Sequence, residues 1–227
     1  MSEKKHTSKH YEMELQEIKN NLIYLGALTE NAIHLAMKSL TDRDTAMANQ
    51  VIANDYEIDK MDKEIEEKCI KMLALRQPTA IDLRFITTAI KITGHLERIG
   101  DMAVNIAEKV VQLNEEPKLK PYIDLPNMSS IVERMVAKSL DAMIKKDLQL
   151  AEEVRRIEQE VDDLNEQIFR ELLTFMMEDS KSIHRALLIM HVSKNLERIA
   201  DHAQGIADMV TYMITGENVR HLAKDEN

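Results

Sequence analysis

The sequence is poor in residues that interrupt helices: its 227 residues include only five glycines and four prolines. Hydrophobic residues make up 44% of the chain, and good helix formers such as Leu, Ala, Met, Glu and Lys are abundant. Aromatic residues make up only 4%, and tryptophan is absent, which disfavours a surface that binds single strands by stacking bases on aromatic rings. The composition therefore predicts long helices.

Cysteine and long uncharged runs are also scarce. The single cysteine, Cys69, cannot form a disulfide within the chain. No uncharged run approaches the roughly 20 residues needed to cross a bilayer, and no apolar stretch follows the first six residues to act as a signal peptide. The net charge of −10 argues against nucleic-acid binding, which needs Lys and Arg to neutralise phosphates. We therefore expect a cytoplasmic protein with no transmembrane segment and no nucleic-acid partner.

The prolines divide the chain into two halves. Pro117, Pro121 and Pro126 crowd into residues 115–127, which indicates a linker. On each side lie three stretches whose apolar residues alternate at spacings of three and four, the pattern of amphipathic helices. The predicted domains are a first three-helix bundle at 9–114, the Pro-rich linker at 115–127, a second three-helix bundle at 128–216, and frayed tails at 1–8 and 217–227.

The two halves repeat one another. Residues 96–101 read Leu-Glu-Arg-Ile-Gly-Asp, and residues 196–201 read Leu-Glu-Arg-Ile-Ala-Asp. Shared apolar periodicity would explain matching core positions but not the identical Glu-Arg and Asp placements. The predicted fold class is therefore all-α, with two homologous antiparallel three-helix bundles related by internal duplication.

Acidic pairs spaced four residues apart occur on each second and third predicted helix. They are Asp55 and Asp59, Glu97 and Asp101, Glu158 and Asp162, and Glu197 and Asp201. Residues four apart share a helix face, so like charges there repel by roughly 0.2–0.5 kcal/mol. The pairs lie next to core positions and at matching distances from each hairpin. Facing antiparallel helices should therefore bring four carboxylates to one level in each half, roughly 30 Å from the hairpin tip.

Four clustered carboxylates repel strongly unless they are protonated or bridged by a cation. Ligands that are all oxygen suit hard ions such as Mg, Ca, Mn or oxidised Fe. We therefore predict one site per half for a divalent or trivalent metal ion, with Fe, Mn, Mg or Zn as the candidates. The alternative is that the acids form two grooves whose charges pair with Lys and Arg of neighbouring helices.

These acidic motifs carry a resemblance to a known family. The signature Glu/Asp-x-x-x-Asp occurs four times, twice within Leu-Glu-Arg-Ile-x-Asp, and the turn at Arg76–Arg84 also looks like that of the PhoU family. The resemblance covers about residues 9–215. It implies two three-helix bundles, multinuclear metal sites on the acidic motifs and frequent homodimers. It also implies a non-catalytic negative regulator of phosphate-starvation signalling and phosphate uptake.

The partners that the resemblance implies are the ATPase of the phosphate ABC transporter and a sensor histidine kinase. The turn at Arg76–Arg84 offers two arginines as a docking surface, with a solvated turn held by internal salt bridges as the alternative. The second half departs from the pattern, since Glu178-Asp179-Ser180 replaces the Gln-Pro turn and Asn165 stands where Asp62 does. Its metal site is therefore expected to differ in nuclearity or affinity.

Two other functions compete with this reading. A di-iron carboxylate enzyme on a helical bundle needs Glu-x-x-His on two helices, and the only occurrence is Glu3–His6. His95 and His202 adjoin the acidic motifs, and we expect both to be exposed. A metal-free coiled-coil scaffold is the second competitor. No nucleophile is set in an activating context, because Cys69 lies on a predicted core position; we therefore expect no catalysis.

Overall fold

The computed structural model describes residues 2–217, with side chains from residue 9 onward. Its helices are α1 (Ser2–Asp42), α2 (Thr45–Arg76), α3 (Ala80–Asn114), α4 (Asp124–Lys145), α5 (Leu148–Glu178) and α6 (Ile183–Thr215), and a 3-10 turn covers Ser180–Ser182. Residues 2–217 contain no strand, which confirms the all-α prediction. Within the same range, no helix is both long enough and apolar enough to span a membrane.

Matching residues begin the second helix of each half. The Asp44 side chain accepts a hydrogen bond from the Met47 amide, and the Asp147 side chain accepts from the amides of Gln149 and Leu150. Both aspartates thereby satisfy amide groups that the first turn of a helix leaves unpaired. At the other end of the chain, Gly216 takes a φ of 80° and ends α6, a conformation that glycine readily adopts after the last turn of a helix.

Helices α1, α2 and α3 pack as one bundle, and α4, α5 and α6 pack as a second. The bundles lie side by side because α3 also packs along α6 and α1 along α4. Gly26 permits the second of these contacts, since a Cβ atom there would overlap Cδ1 of Leu140. Cys69 is fully buried in the core, and burial, together with the charge of Glu66, raises the pKa of its thiol to about 12.

Helix boundaries differ from the predicted ones at two places. Helix α1 begins at Ser2 rather than at residue 9, and α4 begins at Asp124, so that Pro126 lies in its first turn. Proline is tolerated there because the first turn has no amide partners to lose. The predicted linker at 115–127 therefore ends at residue 123. Met1 and residues 218–227 lie outside the described residues.

The turn at 76–84 is tied to α1. Arg76 donates two hydrogen bonds to the Glu14 carboxylate, from Nε at 2.9 Å and from Nη2 at 3.0 Å. Tyr11 donates to the Asp82 carboxylate at 2.8 Å. The charge of Arg76 is therefore already paired, as expected for the alternative in which internal salt bridges hold the turn.

The tip of the second bundle carries two adjacent methionines, Met176 and Met177. The Met177 side chain is 87% exposed. Met176 packs partly against the core. Adjacent residues on a helix point about 100° apart, so only one of the two reaches the core.

Candidate metal sites

The first acidic cluster lies where α2 packs along α3. Asp55 and Asp59 come from α2, and Glu97 and Asp101 come from α3. The charges of Asp59 and Asp101 both act on Asp55, which places carboxylates of the two helices within electrostatic reach. Gly100 allows this approach, since a Cβ atom there would lie 2.9 Å from Cδ1 of Ile58 and 3.6 Å from Oδ1 of Asp55. The predicted gathering of acids is therefore present in the first half.

Burial and mutual repulsion make these carboxyl groups harder to ionise. Desolvation raises the pKa of Asp55, and the charges of Asp59 and Asp101 raise it further. Desolvation also raises the pKa of Glu97, with Asp101 adding to the rise and Arg98 opposing it. The metal-free protein thus holds negative charge in a place that disfavours it.

The second cluster repeats the first between α5 and α6. Desolvation raises the pKa of Glu158, followed by the charges of Asp162, Asp201 and Glu197. The pKa values of Asp162 and Asp201 are raised mainly by desolvation and next by the charge of Glu197. The four predicted residues of the second half therefore also come together.

Each cluster already contains one cation partner. Arg98 lies with Nε 3.4 Å from Oε2 of Glu97 and with Nη1 3.0 Å from Oδ2 of Asp101. In the second half, Lys194 Nζ lies 2.7 Å from Oε1 and 2.6 Å from Oε2 of Glu197. Both cations stand three residues before the acid that they reach. Each cation lies on the same helix as its acid, whereas the alternative of acidic grooves expected pairing with Lys and Arg of neighbouring helices.

The donor set nevertheless fits a hard metal ion, because every candidate ligand is an oxygen. Within residues 9–217, no three His, Cys, Asp or Glu side chains are already arranged around one position as metal ligands. Binding therefore requires the carboxylates to reorient and Arg98 and Lys194 to leave. Releasing Arg98 costs little, since its side chain is 61% exposed and exposed ion pairs contribute about 0–1 kcal/mol. Lys194 is 57% exposed, but its partner Glu197 is only 14% exposed.

The two clusters differ at one matched position. In the first half Asp62 adds its charge to those that raise the pKa of Glu97. In the second half Asn165 replaces it, and the amide oxygen of Asn165 accepts a 2.6 Å hydrogen bond from the Ser193 hydroxyl. The second cluster thus has one charge fewer, as the sequence indicated.

A family model reproduces the duplication seen in the fold. The model of the PhoU domain matches this chain twice, over residues 22–110 and 125–210. This chain belongs to the PhoU family.

Curated relatives match over nearly the whole chain. The "Phosphate-specific transport system accessory protein PhoU homolog" of Pseudomonas aeruginosa is 39% identical over 218 residues, covering 96% of this chain and 90% of that protein. The homologue of the same name from Aquifex aeolicus is 43% identical over 208 residues, covering 92% of this chain and 94% of that protein.

Solved structures agree with this assignment. The crystal structure of PhoU from Pseudomonas aeruginosa has a TM-score of 0.88 at 38% identity, with 91% of this chain and all of that chain covered. The "phosphate transport system regulatory protein PhoU" from Streptococcus pneumoniae has a TM-score of 0.85 at 28% identity, with 92% and 98% covered. The resemblance to the PhoU family and the all-α fold class, both predicted from the sequence, are confirmed.

The prediction that His95 and His202 are exposed was wrong. Both are partly buried where α3 packs on α6, and their Nδ1 atoms lie 3.0 Å apart. Burial, followed by the charge of His95, lowers the pKa of His202 to about 4, so this ring is neutral at pH 7. Gly205 makes room for the pair, since a Cβ atom there would lie 2.5 Å from Cε1 of His95.

The contact between His95 and His202 could not be predicted from the sequence, because it lies between the two bundles. The helical periodicity of each half shows which face packs inside its own bundle, but it does not show which faces meet between bundles. The sequence does contain a signal for the two cations that pair with the acidic clusters. Arg98 and Lys194 stand three residues before Asp101 and Glu197, and this spacing on a helix is typical of a salt bridge.

Proposed function

We propose that this chain is a phosphate-transport accessory protein that acts as a non-catalytic adaptor and lowers phosphate uptake and phosphate-starvation signalling. The observation that carries this proposal is the 39% identity over 96% of the chain to a protein named as an accessory of the phosphate-specific transport system. Both halves of the chain match the PhoU domain, so the likeness to the accessory protein extends over both bundles.

The proposed partners are the ATPase of a phosphate ABC transporter and a sensor histidine kinase, on the cytosolic side of the membrane. The relatives are named as accessory proteins of the phosphate-specific transport system, which supports contact with transport machinery, and the kinase is inferred from the family resemblance. Long paired helices such as α2 and α3 supply extended exposed faces for two partners. We also propose that the protein forms a homodimer, as the resemblance implies.

We further propose that each acidic cluster binds a hard metal ion. Asp55, Asp59, Glu97 and Asp101 would hold it in the first half, and Glu158, Asp162, Glu197 and Asp201 in the second. The raised pKa values of Asp55, Glu97, Glu158, Asp162 and Asp201 support this assignment, because a bound cation would relieve the repulsion that raises them. The ion would supply charge compensation between helices, and the carboxylates would orient it.

A metal-free scaffold is the second candidate. It is favoured by one observation, the pairing of Arg98 and Lys194 with the acids. Each of these cations offsets one of the four negative charges in its cluster and so reduces the repulsion that a metal ion would relieve. Measuring bound metal distinguishes the two candidates.

A deletion strain tests the regulatory role. Without this protein, phosphate-starvation genes should stay expressed in abundant phosphate, and expression of the wild-type chain from a plasmid should restore repression. Transcript levels of these genes are the measurement. Normal repression in the deletion strain would show that the regulatory assignment is wrong.

Association with the transporter is tested separately. The tagged protein, expressed at its natural level, should copurify with the transporter ATPase and with the kinase. If the protein regulates phosphate-starvation genes but copurifies with neither partner, the regulatory role would stand and the adaptor mechanism would be wrong.

A further inference from the structure

A small pocket lies at the end of the molecule where the two bundles meet. It is formed by the first half of α1, the start of α3, the turn between α4 and α5, and the end of α6. Its volume is about 180 Å³, which is room for about six water molecules at roughly 30 Å³ each. The pocket therefore has the size for a small ligand.

Three cations from separate elements line this pocket: Lys19 of α1, Arg84 of α3 and Lys146, which follows α4. This grouping is unusual in a chain with a net charge of −10. The one acid in the lining is Asp82, and its carboxylate already accepts hydrogen bonds from Tyr11 at 2.8 Å and from Thr79 at 3.2 Å. Three positive charges and one negative charge leave the pocket with a net charge of +2.

The cations have few partners in the folded chain. Among residues 9–217, no carboxylate forms an ion pair with Lys19, Arg84 or Lys146. Lys19 places its ammonium 5.4 Å from the centre of the Phe85 ring. The Nε atom of Arg84 is buried and makes no hydrogen bond within the same residues. A buried donor without a partner is unfavourable, and the Arg84 guanidinium also lacks an anionic partner among the described residues.

The remaining walls are apolar. They consist of Leu15, Ile81, Phe85, Met213 and Ile214. Apolar walls with a few convergent charged groups are typical of small-molecule sites. An arginine guanidinium and two lysine ammonium groups suit the oxygens of a phosphate group, and a net charge of +2 matches its dianion.

We propose that this pocket binds a small phosphate-bearing anion, either inorganic phosphate or a phosphate monoester with a compact apolar group. The phosphate would lie between Arg84 and Lys146 and accept hydrogen bonds from the Arg84 guanidinium and the Lys146 ammonium. The site is separate from the acidic clusters, so this proposal does not depend on metal binding or on the regulatory role.

Isothermal titration calorimetry of the full chain tests the proposal with two probes, inorganic phosphate and phenyl phosphate. Saturable binding of at least one probe at concentrations up to about 1 mM is expected. Tighter binding of phenyl phosphate would identify a monoester as the preferred ligand, and equal binding would identify inorganic phosphate. Absence of binding by both probes would overturn the proposal.

Substitutions locate the site. Lys146→Gln and Arg84→Gln should each weaken the Kd about tenfold, the effect of losing a charged hydrogen bond. Lys146 is exposed, so its variant should keep the wild-type fold even where R84Q does not. The matched control is Lys181→Gln, which removes an exposed charge from the turn before α6, about one length of α3, or roughly 50 Å, away. Unchanged binding in K146Q, or equal weakening in K181Q, would show that the probe binds elsewhere.

Discussion

Asp55 is a residue whose chemistry depends on the helix opposite to it. Burial against Gly100 of α3, and the charges of Asp59 and Asp101, raise the pKa of its carboxyl group. A carboxyl group whose pKa is raised by folding opposes folding when it is ionised, and this opposition fades as the pH falls through the raised value. Asp55 therefore destabilises the metal-free protein at neutral pH.

The substitution Asp55→Asn removes that charge while keeping the size of the side chain. In the presence of a chelator at pH 7, we expect D55N to raise the free energy of unfolding by at least roughly 0.2–0.5 kcal/mol, the size of one like-charge pair on a helix. Because the ordinary pKa of the carboxyl group is 3.8, the gain should shrink as the pH falls toward that value. Urea unfolding between pH 7 and pH 4 measures it.

Glu67→Gln is the matched control for this experiment, because Glu67 is an exposed acid on the same helix and outside the cluster. Its effect on unfolding should be close to zero across the same range. A gain for D55N that does not depend on pH would mean that the charge of Asp55 is not the cause.

At the scale of the helices, the internal periodicity of the sequence was sufficient for most of the fold. The repeat predicted six helices in two bundles, and the placement of Asp44 and Asp147 shows that even the N-terminal caps are duplicated. The start of α4 was predicted less well, because Pro126 was assigned to a linker although proline is compatible with the first turn of a helix.

Contacts between the bundles were not predictable in the same way. A residue such as Gly26 has the same local signal whether it faces solvent or Leu140, so its role is visible only once α1 lies along α4. The same holds for Gly205 and His95 between α3 and α6. The acidic clusters were predictable because both members of each helix pair belong to one hairpin.

The contact between α1 and α4 yields a test by double substitution. Gly26→Ala should destabilise the wild-type protein, because overpacking costs about 1–3 kcal/mol and exceeds the gain of about 1 kcal/mol from replacing glycine in a helix. In a Leu140→Ala background the overlap is absent, so the same change should stabilise by about 1 kcal/mol. Urea unfolding of the four proteins measures both effects.

An equal effect of Gly26→Ala in both backgrounds would contradict the close packing of α1 on α4. The single variant L140A is the internal control, since it reports the cost of the lost side chain alone. A coupling of opposite sign between the two sites would require a different arrangement of the bundles.

At the scale of the whole molecule, the duplication places one acidic cluster in each bundle, and the bundles join through α3 and α6. Glu97 and Asp101 of α3 and Glu197 and Asp201 of α6 therefore belong to the two helices that form this junction. The paired His95 and His202 lie between them. A metal ion bound in either cluster would therefore contact a helix, α3 or α6, that also packs against the other bundle.

We propose that each half of the molecule has its own metal site, and metal content tests this proposal most directly. Wild-type protein, Glu97→Gln with Asp101→Asn, and Glu197→Gln with Asp201→Asn are purified without chelators and analysed by mass spectrometry of their metals. Each double variant should lose the metal of one half and keep that of the other. Metal content that is the same in all three proteins would contradict the account.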